Sequence, residues 1–260
     1  MNPLKALLLR VAPDPLLFAA RRLFYAQAVR RFSVPHARVL RALVRKGECA
    51  VDLGANVGWY SRILSELVGP TGRVYSLEPV PPTYALLQRS IRKLRLTNVE
   101  TINSAASDHN GSISMEVPPY DEGGDNFYQA HIVGDREQHP SYRQFRVSTV
   151  SVDALLGNST RPIGFIKCDV EGHERAAIRG AEDIIRRWLP AMLIEVTTDP
   201  DDSRTLGHEL FAWLADAGYR AYRFDGEGLV ARQPGDRAVD YFFLVARHLR
   251  LLEQESIPVR

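Results

Sequence analysis

From position 49 onward, short strand-like runs alternate with longer stretches whose apolar residues recur every three or four positions. Cys49–Leu53, Gly72–Leu77, Val99–Asn103, Ile163–Asp169 and Ala191–Val196 read as strands of a buried parallel sheet. Trp59–Val68, Thr83–Leu94, a stretch ending at Trp188 and Leu206–Ala217 read as the helices between them. Ser112–Val117 alternates with period two, and Arg146–Val152 is its expected hairpin partner. The polar, Gly-rich stretch 118–144 between them is long enough to be a lid or a disordered loop. Tyr219–Phe224 and Tyr241–Ala246 close the chain as two further strands. Strands alternating with helices and ending in a hairpin predict a doubly wound α/β sheet.

The first strand breaks into Asp52-x-Gly54-x-Asn56-x-Gly58. Gly54 and Gly58 permit positive φ and let a ligand approach the backbone. The helix that follows offers unpaired N–H groups at the same place. A dinucleotide turn would read G-x-G-x-x-G. Here a carboxylate closes the strand instead, badly placed for a pyrophosphate and well placed for an ammonium or a sulfonium. The second strand ends in Glu78, about twenty residues past Gly58, where an acid accepts hydrogen bonds from a ribose diol. Adenosine with a cationic amino-acid tail describes S-adenosylmethionine. The cofactor-binding set is then Asp52, Gly54, Ala55, Asn56, Gly58 and Glu78, with Ala106 in the 104–108 stretch facing the adenine and Asp169 closing the pocket.

The chain has 260 residues, 45% of them hydrophobic, enough for one full core. Its net charge of +2 hides a boundary. Residues 1–47 hold ten Lys or Arg against the single acid Asp14, or +9, which leaves −7 on the rest. Within this arm Leu16–Phe32 places Leu17, Ala20, Phe24, Ala28 and Phe32 near one face and Arg21, Arg22, Arg30 and Arg31 largely elsewhere. That helix is expected to pack on its own domain or on a second copy in a homodimer, with peripheral contact to an anionic membrane as the alternative. A further helix, Pro35–Arg45, leads into the first strand. Cys49 and Cys168 fall in buried strands and read as reduced thiols of a cytoplasmic protein. No uninterrupted apolar run reaches the roughly eighteen residues of a membrane span, and no signal peptide is expected. Three units result: a basic helical extension (1–47), the cofactor-binding domain (48–250) and a tail (251–260).

Ligands of open α/β sheets bind beyond the carboxyl ends of the strands. Asp169, Glu171 and His173 gather there as candidate proton acceptors. Lys167 shares a strand face with Asp169, as its ion-pair partner or, if desolvation lowers its pKa, as a base. Asp169, Glu171 and Glu195 also have the oxygen-rich character of a Mg²⁺ or Mn²⁺ site, although acids at a helix start are favoured by the dipole alone. The Asn-Pro-Pro-Tyr signature of base-modifying enzymes should follow the fourth strand, where this chain has Asp169-Val170-Glu171-Gly172. With no basic groove either, nucleic acid is not expected as a partner.

Three groups of residues together resemble the FkbM-type S-adenosylmethionine-dependent methyltransferases: Val51–Gly58 with Glu78-Pro79, Ala105–Asp108 with Gly111, and Ser151–Asp153 followed by Phe165–Glu174 and Ile194-Glu195. The resemblance covers about 51–246, and Cys168 stands where the family more often has an aliphatic residue. It implies a seven-stranded class I methyltransferase sheet, mostly parallel with an antiparallel C-terminal hairpin. It also implies O-methylation of a hydroxyl on a sugar, glycolipid or secondary metabolite. A nicotinamide-dependent oxidoreductase on a similar sheet and a non-catalytic S-adenosylmethionine-binding scaffold are the alternatives.

Overall fold

The computed structural model describes residues 24–25, 27–119, 126, 130–133 and 139–260. The expected helix Leu16–Phe32 therefore lies largely outside the described residues; positions 24, 25 and 27–31 are helical. Most of the 118–144 stretch, and with it the lid expectation, also lies outside them. The opening elements are α1 (Ala37–Leu43), β1 (Cys49–Leu53), α2 (Trp59–Val68), β2 (Arg73–Leu77), α3 (Pro81–Leu94) and β3 (Val99–Ile102). Next come β4 (Ala105–Ala106), β5 (Gly111–Val117), β6 (His131–Ile132) and β7 (Arg143–Val150). The remainder is α4 (Val152–Leu156), β8 (Ile163–Cys168), α5 (Glu174–Arg179), α6 (Glu182–Trp188), β9 (Ala191–Glu195), α7 (Leu206–Asp216), β10 (Arg220–Phe224), β11 (Leu229–Ala231), β12 (Asp240–Leu244) and α8 (Ala246–Gln254).

The main sheet runs β11-β10-β12-β9-β8-β1-β2-β3. Its five strands from β9 to β3 are parallel, while β12, β10 and β11 are added antiparallel. The chain winds outward one way from β1 through β2 to β3, then returns to β8 on the other side of β1. That reversal opens a crevice at the carboxyl ends of β1 and β8. Seven strands in this order make the expected class I methyltransferase sheet. The eighth, β11, corrects the count: the 224–240 connection is more than a turn, because the chain end pairs with it. Leu229 bridges Val259, and the Leu229 amide donates to the Pro258 carbonyl at 2.9 Å.

The strand period of two sorts side chains to two cores. Cys49, Val51 and Leu53 of β1 pack with Ile166, Ile178, Ile185 and Leu214, under α5, α6 and α7. Ala50 packs on the opposite face with Phe165, Leu193 and Phe242, under Leu40 and Leu43 of α1, Leu64 of α2 and Leu252 of α8. Two unit boundaries need correction as a result. Residues 37–47 share a core with the sheet, and the boundary at 250 cuts through α8.

The helix ending at Trp188 is two helices, because Asp153 interrupts it. Its amide donates to the Gly180 carbonyl at 2.9 Å, and its carboxylate accepts from the amides of Asp183 and Ile184, both at 3.0 Å, at the start of α6. The hairpin of β5 and β7 forms in the expected region, with Ile113 opposite Val147, and belongs to a separate four-stranded sheet ordered β4-β7-β5-β6. Its apolar side packs Met115, Val117 and Val147 against Val80, just before α3.

Leu252 is fully buried in the core beneath α8. Leu252→Ala should therefore cost about 2–5 kcal/mol in urea unfolding, as truncation of a packed leucine does. A detached tail would give a loss near zero.

Candidate active site

The turn after β1 is fixed by its own backbone. The amides of Gly54 and Ala55 donate to the Leu77 carbonyl at 3.1 and 2.8 Å, tying the turn to the end of β2. Gly54 has φ +74°, and a Cβ there would stand 1.7 Å from the Asp169 carbonyl oxygen. Only glycine fits, and β1 and the loop after β8 meet across it. Glu78, buried at the end of β2, accepts from the Asn56 amide at 3.0 Å with one carboxylate oxygen and from the Val80 amide at 2.9 Å with the other. Burial still lifts its pKa to about 7 against those two bonds.

A cleft of about 280 Å³ opens over this turn. Asp52, Gly54, Ala55, Asn56, Glu78, Ala106, Lys167, Asp169, Glu171 and His173 all line it, as the sequence reading expected. Gly58 does not. It precedes α2 with φ +100°, and a Cβ there would press on Leu87 of α3 at 3.1 Å, so it supports the turn from behind. Sequence reasoning missed Phe32, Trp59, Tyr60, Met115 and Ile132 in the walls. Trp59 and Tyr60 were legible only as the start of a helix, and Phe32 is distant in sequence.

Asp52 is wholly buried on the face of β1 that carries Ala50. Its Oδ2 accepts from the Ser61 hydroxyl at 2.6 Å, and Ser61 accepts from Ser76 at 2.9 Å. Its Oδ1 is buried and has no hydrogen-bond partner among the described residues. Such an atom costs about 1–3 kcal/mol unless something donates to it. Burial raises the Asp52 pKa, with the Lys167 ammonium and the Ser61 hydroxyl opposing.

Lys167 lies opposite Asp52 in the register of β1 and β8, and its Nζ donates to Asp169 Oδ2 at 2.7 Å. Burial works against its charge, but Asp169 and Asp52 outweigh it and hold the pKa above the ordinary lysine value. Of its two expected roles, the geometry displays the ion pair with Asp169. Burial would likewise raise Asp169, but the Lys167 charge and hydrogen bond hold it below the usual carboxylate range. Glu195 supplies the proton of a carboxyl–carboxylate hydrogen bond to Asp169; burial and then the Asp169 charge push it up to about 8.

Glu171 is aimed by its backbone, which sits at φ +53°. Glu174 holds that loop from below, its Oε1 accepting from the amides of Val170 at 3.2 Å and Gly172 at 2.9 Å. Strain of this kind persists where the surroundings overdetermine it, often at functional sites. Burial, then repulsion from Asp169 and Glu174, pushes the Glu171 pKa up to about 7. Ligand oxygens of Asp169, Glu171 and Glu195 lie within 4.8 Å of one another. Asp240, opposite Glu195 in the β9–β12 pairing, adds a fourth acid that the sequence reading did not count. His173 stands apart: its Nε2 is 3.2 Å from the Ser107 hydroxyl, and burial lowers its pKa.

A crevice at the reversal of a doubly wound sheet, a glycine turn, Asp52 near the end of β1 and an acid just after each of β2 and β8 define the S-adenosylmethionine-dependent methyltransferase class. The chain belongs to the FkbM methyltransferase family, whose model, Methyltransferase FkbM domain, matches residues 52–221. Over 59 residues it is 34% identical to a protein-L-isoaspartate O-methyltransferase of Methanothrix thermoacetophila, covering 23% of this chain and 28% of that protein. Over 167 residues it is 20% identical to Methyltransferase 1 of Beauveria bassiana, covering 60% of this chain and 67% of that protein. The chain thus spans only about a third of the length of the first isoaspartate relatives, 28% and 35%. Among solved structures, the methyltransferase FkbM of Methylobacillus flagellatus KT is similar at 17% identity and a TM-score of 0.49, over 86% of this chain and 59% of that one. Fibrillarin of Aeropyrum pernix, solved with S-adenosyl-L-methionine, is similar at 17% identity and a TM-score of 0.46, over 86% and 74%.

Glu171 and Glu195 have folded-state pKa values near 7 and 8 against an ordinary 4.5. The folded protein therefore holds protons between about pH 4.5 and 8 that the unfolded chain has released, so stability falls as pH rises through that window. Glu195→Gln should flatten the fall by on the order of 1 kcal/mol, since solvent screens a half-exposed group. Urea unfolding at both ends of the window checks this; an unchanged slope would contradict the shared proton.

Proposed function

We propose that the protein transfers a methyl group from S-adenosylmethionine to a hydroxyl of a small molecule or glycan, of the sugar, glycolipid or secondary-metabolite kind. The observation that carries this reading is the convergence of Asp169, Glu171 and Glu195 beside the cleft that Asp52 and Glu78 line.

The residues present fit the donor. Asp52 Oδ1 is a buried acceptor without a partner among the described residues, suited to an ammonium. Glu78 has used one lone pair on each oxygen for the turn and keeps the others for ribose hydroxyls. Gly54, Ala55 and Asn56 present backbone, and Ala106 leaves room for the adenine. The bound donor supplies an electrophilic methyl carbon; the chain must align an acceptor oxygen with it and remove the hydroxyl proton.

Among the acids Glu171, near 7, is the one tuned to take a proton at neutral pH. Asp169, kept ionised by Lys167, accepts a hydrogen bond from the acceptor hydroxyl and orients it. His173, engaged with Ser107, serves the adenine side of the cleft instead. An anionic acceptor such as an isoaspartyl carboxylate would meet the charge of Asp169 and push the pKa values of Glu171 and Glu195 higher still, which favours a neutral hydroxyl.

The same three acids would hold a Mg²⁺ or Mn²⁺ ion, which would polarise the acceptor oxygen. With no ion bound, burial and the Asp169 charge push Glu195 up to about 8, so an ion binding there would compete with a proton on that carboxyl. Among the described residues no helix is long and apolar enough to cross a membrane.

Following S-adenosylhomocysteine release across a panel of hydroxylated acceptors tests the reading. Glu171→Gln should lower kcat by about 10²- to 10⁴-fold, the usual contribution of general base catalysis, with little change in donor affinity. Turnover should persist in excess EDTA with protein shown to be metal-free. Unchanged kcat in the variant would remove Glu171 from the base role, and rescue of EDTA-treated protein by Mg²⁺ or Mn²⁺ alone would establish the metal.

A further inference from the structure

Residues 52–221 carry the family match, yet one wall of the cleft comes from ahead of them. Phe32 lines the same cleft as Asp52, Glu78 and Asp169. Arg62 of α2 donates to the Phe32 carbonyl at 2.6 Å, so the wall is fastened to the helix that opens on the glycine turn. The Phe32 ring lies 4.9 Å from Trp59 and meets Tyr60 edge to face at 6.3 Å. Tyr25, further up the same segment, meets Trp59 edge to face at 6.2 Å. Aromatic contacts at these separations add to the area they bury.

His36, just before α1, is 7% exposed and packs among Phe224 at 6.0 Å and Phe242 at 5.3 Å. Burial lowers its pKa to about 4, so the ring is neutral. Its Nε2 stands 3.0 Å from the Tyr60 hydroxyl. A neutral imidazole among phenyl rings costs more than a leucine would unless its nitrogens are hydrogen-bonded. The bond to Tyr60 offsets that cost. Tyr60 in turn lines the cleft, and its ring faces the Lys167 ammonium at 5.1 Å. A continuous set of contacts thus runs from His36 through Tyr60 to the acidic end of the cleft.

We propose that the segment ahead of the family domain completes the methyl-donor cleft, with Phe32 as a binding residue on its wall and His36 as a positioning residue that holds Tyr60 there. The inference rests on the reading of this cleft as the S-adenosylmethionine site. The donor's sulfur is a cation with no hydrogen to donate. Besides the pull of a carboxylate such as Asp52, dispersion and the negative faces of aromatic rings are what a side chain can offer it.

Calorimetry with S-adenosylmethionine and S-adenosylhomocysteine tests this on the full chain, with melting curves to confirm folding. Phe32→Ala should weaken donor binding by about 10-fold; Phe32→Leu, which keeps the volume, serves if the alanine variant does not fold. His36→Phe and Tyr60→Phe should each weaken it by about 3- to 10-fold, and the double variant should be no worse than either alone, because both remove one hydrogen bond. His36→Gln, whose amide oxygen still accepts from Tyr60, should stay near wild type. Unchanged affinity in the folded Phe32 variants would overturn the wall. Additive losses, or equal losses for His36→Phe and His36→Gln, would overturn the positioning role. Wild-type protein that bound neither ligand would contradict the proposed function itself, a result distinguishable from both.

Discussion

The cleft depends on one buried carboxylate. Glu78 closes β2 and accepts from the amides of Asn56 and Val80, one to each oxygen. The first bond reaches the turn after β1, the second the approach to α3. With the amides of Gly54 and Ala55 on the Leu77 carbonyl, this side chain joins the two loops, and the backbone of the donor site is set before any ligand arrives. Desolvating that charge is unfavourable, as its raised pKa records, and hydrogen bonds to charged groups, worth about 1.5–3 kcal/mol each, offset it. Gly54 completes the clamp from the other side, where the Asp169 carbonyl leaves no room for a side chain.

The second organising constraint is strand parity. Ala50, Phe165, Leu193 and Phe242 share one core, so Asp52, Lys167, Glu195 and Asp240, each two residues away along its own strand, fall on that same face. Alternation thus places three acids and one lysine at neighbouring strand ends. With Asp169 and Glu171 added by the following loop, negative charge exceeds positive. The excess is relieved by protons on Glu195 and Glu171, and such groups exchange protons near neutral pH. This is the feature on which the proposal of a neutral hydroxyl acceptor rests.

Much of this was legible in the sequence because it is local. The strand-turn-helix of 49–68, Glu78 and the 167–174 run each carry their meaning within a few residues, and each lies at the cleft. What was missed depends on separation in sequence. Phe32 was legible as part of an apolar helix face but not as a cleft wall, and His36 meets the cleft only through Tyr60, because both contacts join residues far apart in the chain. Strand β11 escaped notice because three residues between turns have no period; antiparallel pairing with β10 makes them a strand, and the chain end bridges its outer edge. The break between α5 and α6 is imposed by Asp153, some thirty residues earlier. Lys167 was open between base and ion-pair partner, because its 2.7 Å bond to Asp169 and its register opposite Asp52 are set by tertiary pairing of β1 and β8.

The central claim is that Glu78 both shapes the turn and holds the donor's ribose. Titration of S-adenosylhomocysteine into Glu78→Ala and wild-type protein by calorimetry tests it most directly, with circular dichroism to confirm that the sheet is retained. The account predicts an affinity lower by about 1–3 kcal/mol in a folded variant, the scale of hydrogen bonds to a charged group. Wild-type affinity in a folded Glu78→Ala protein would contradict it.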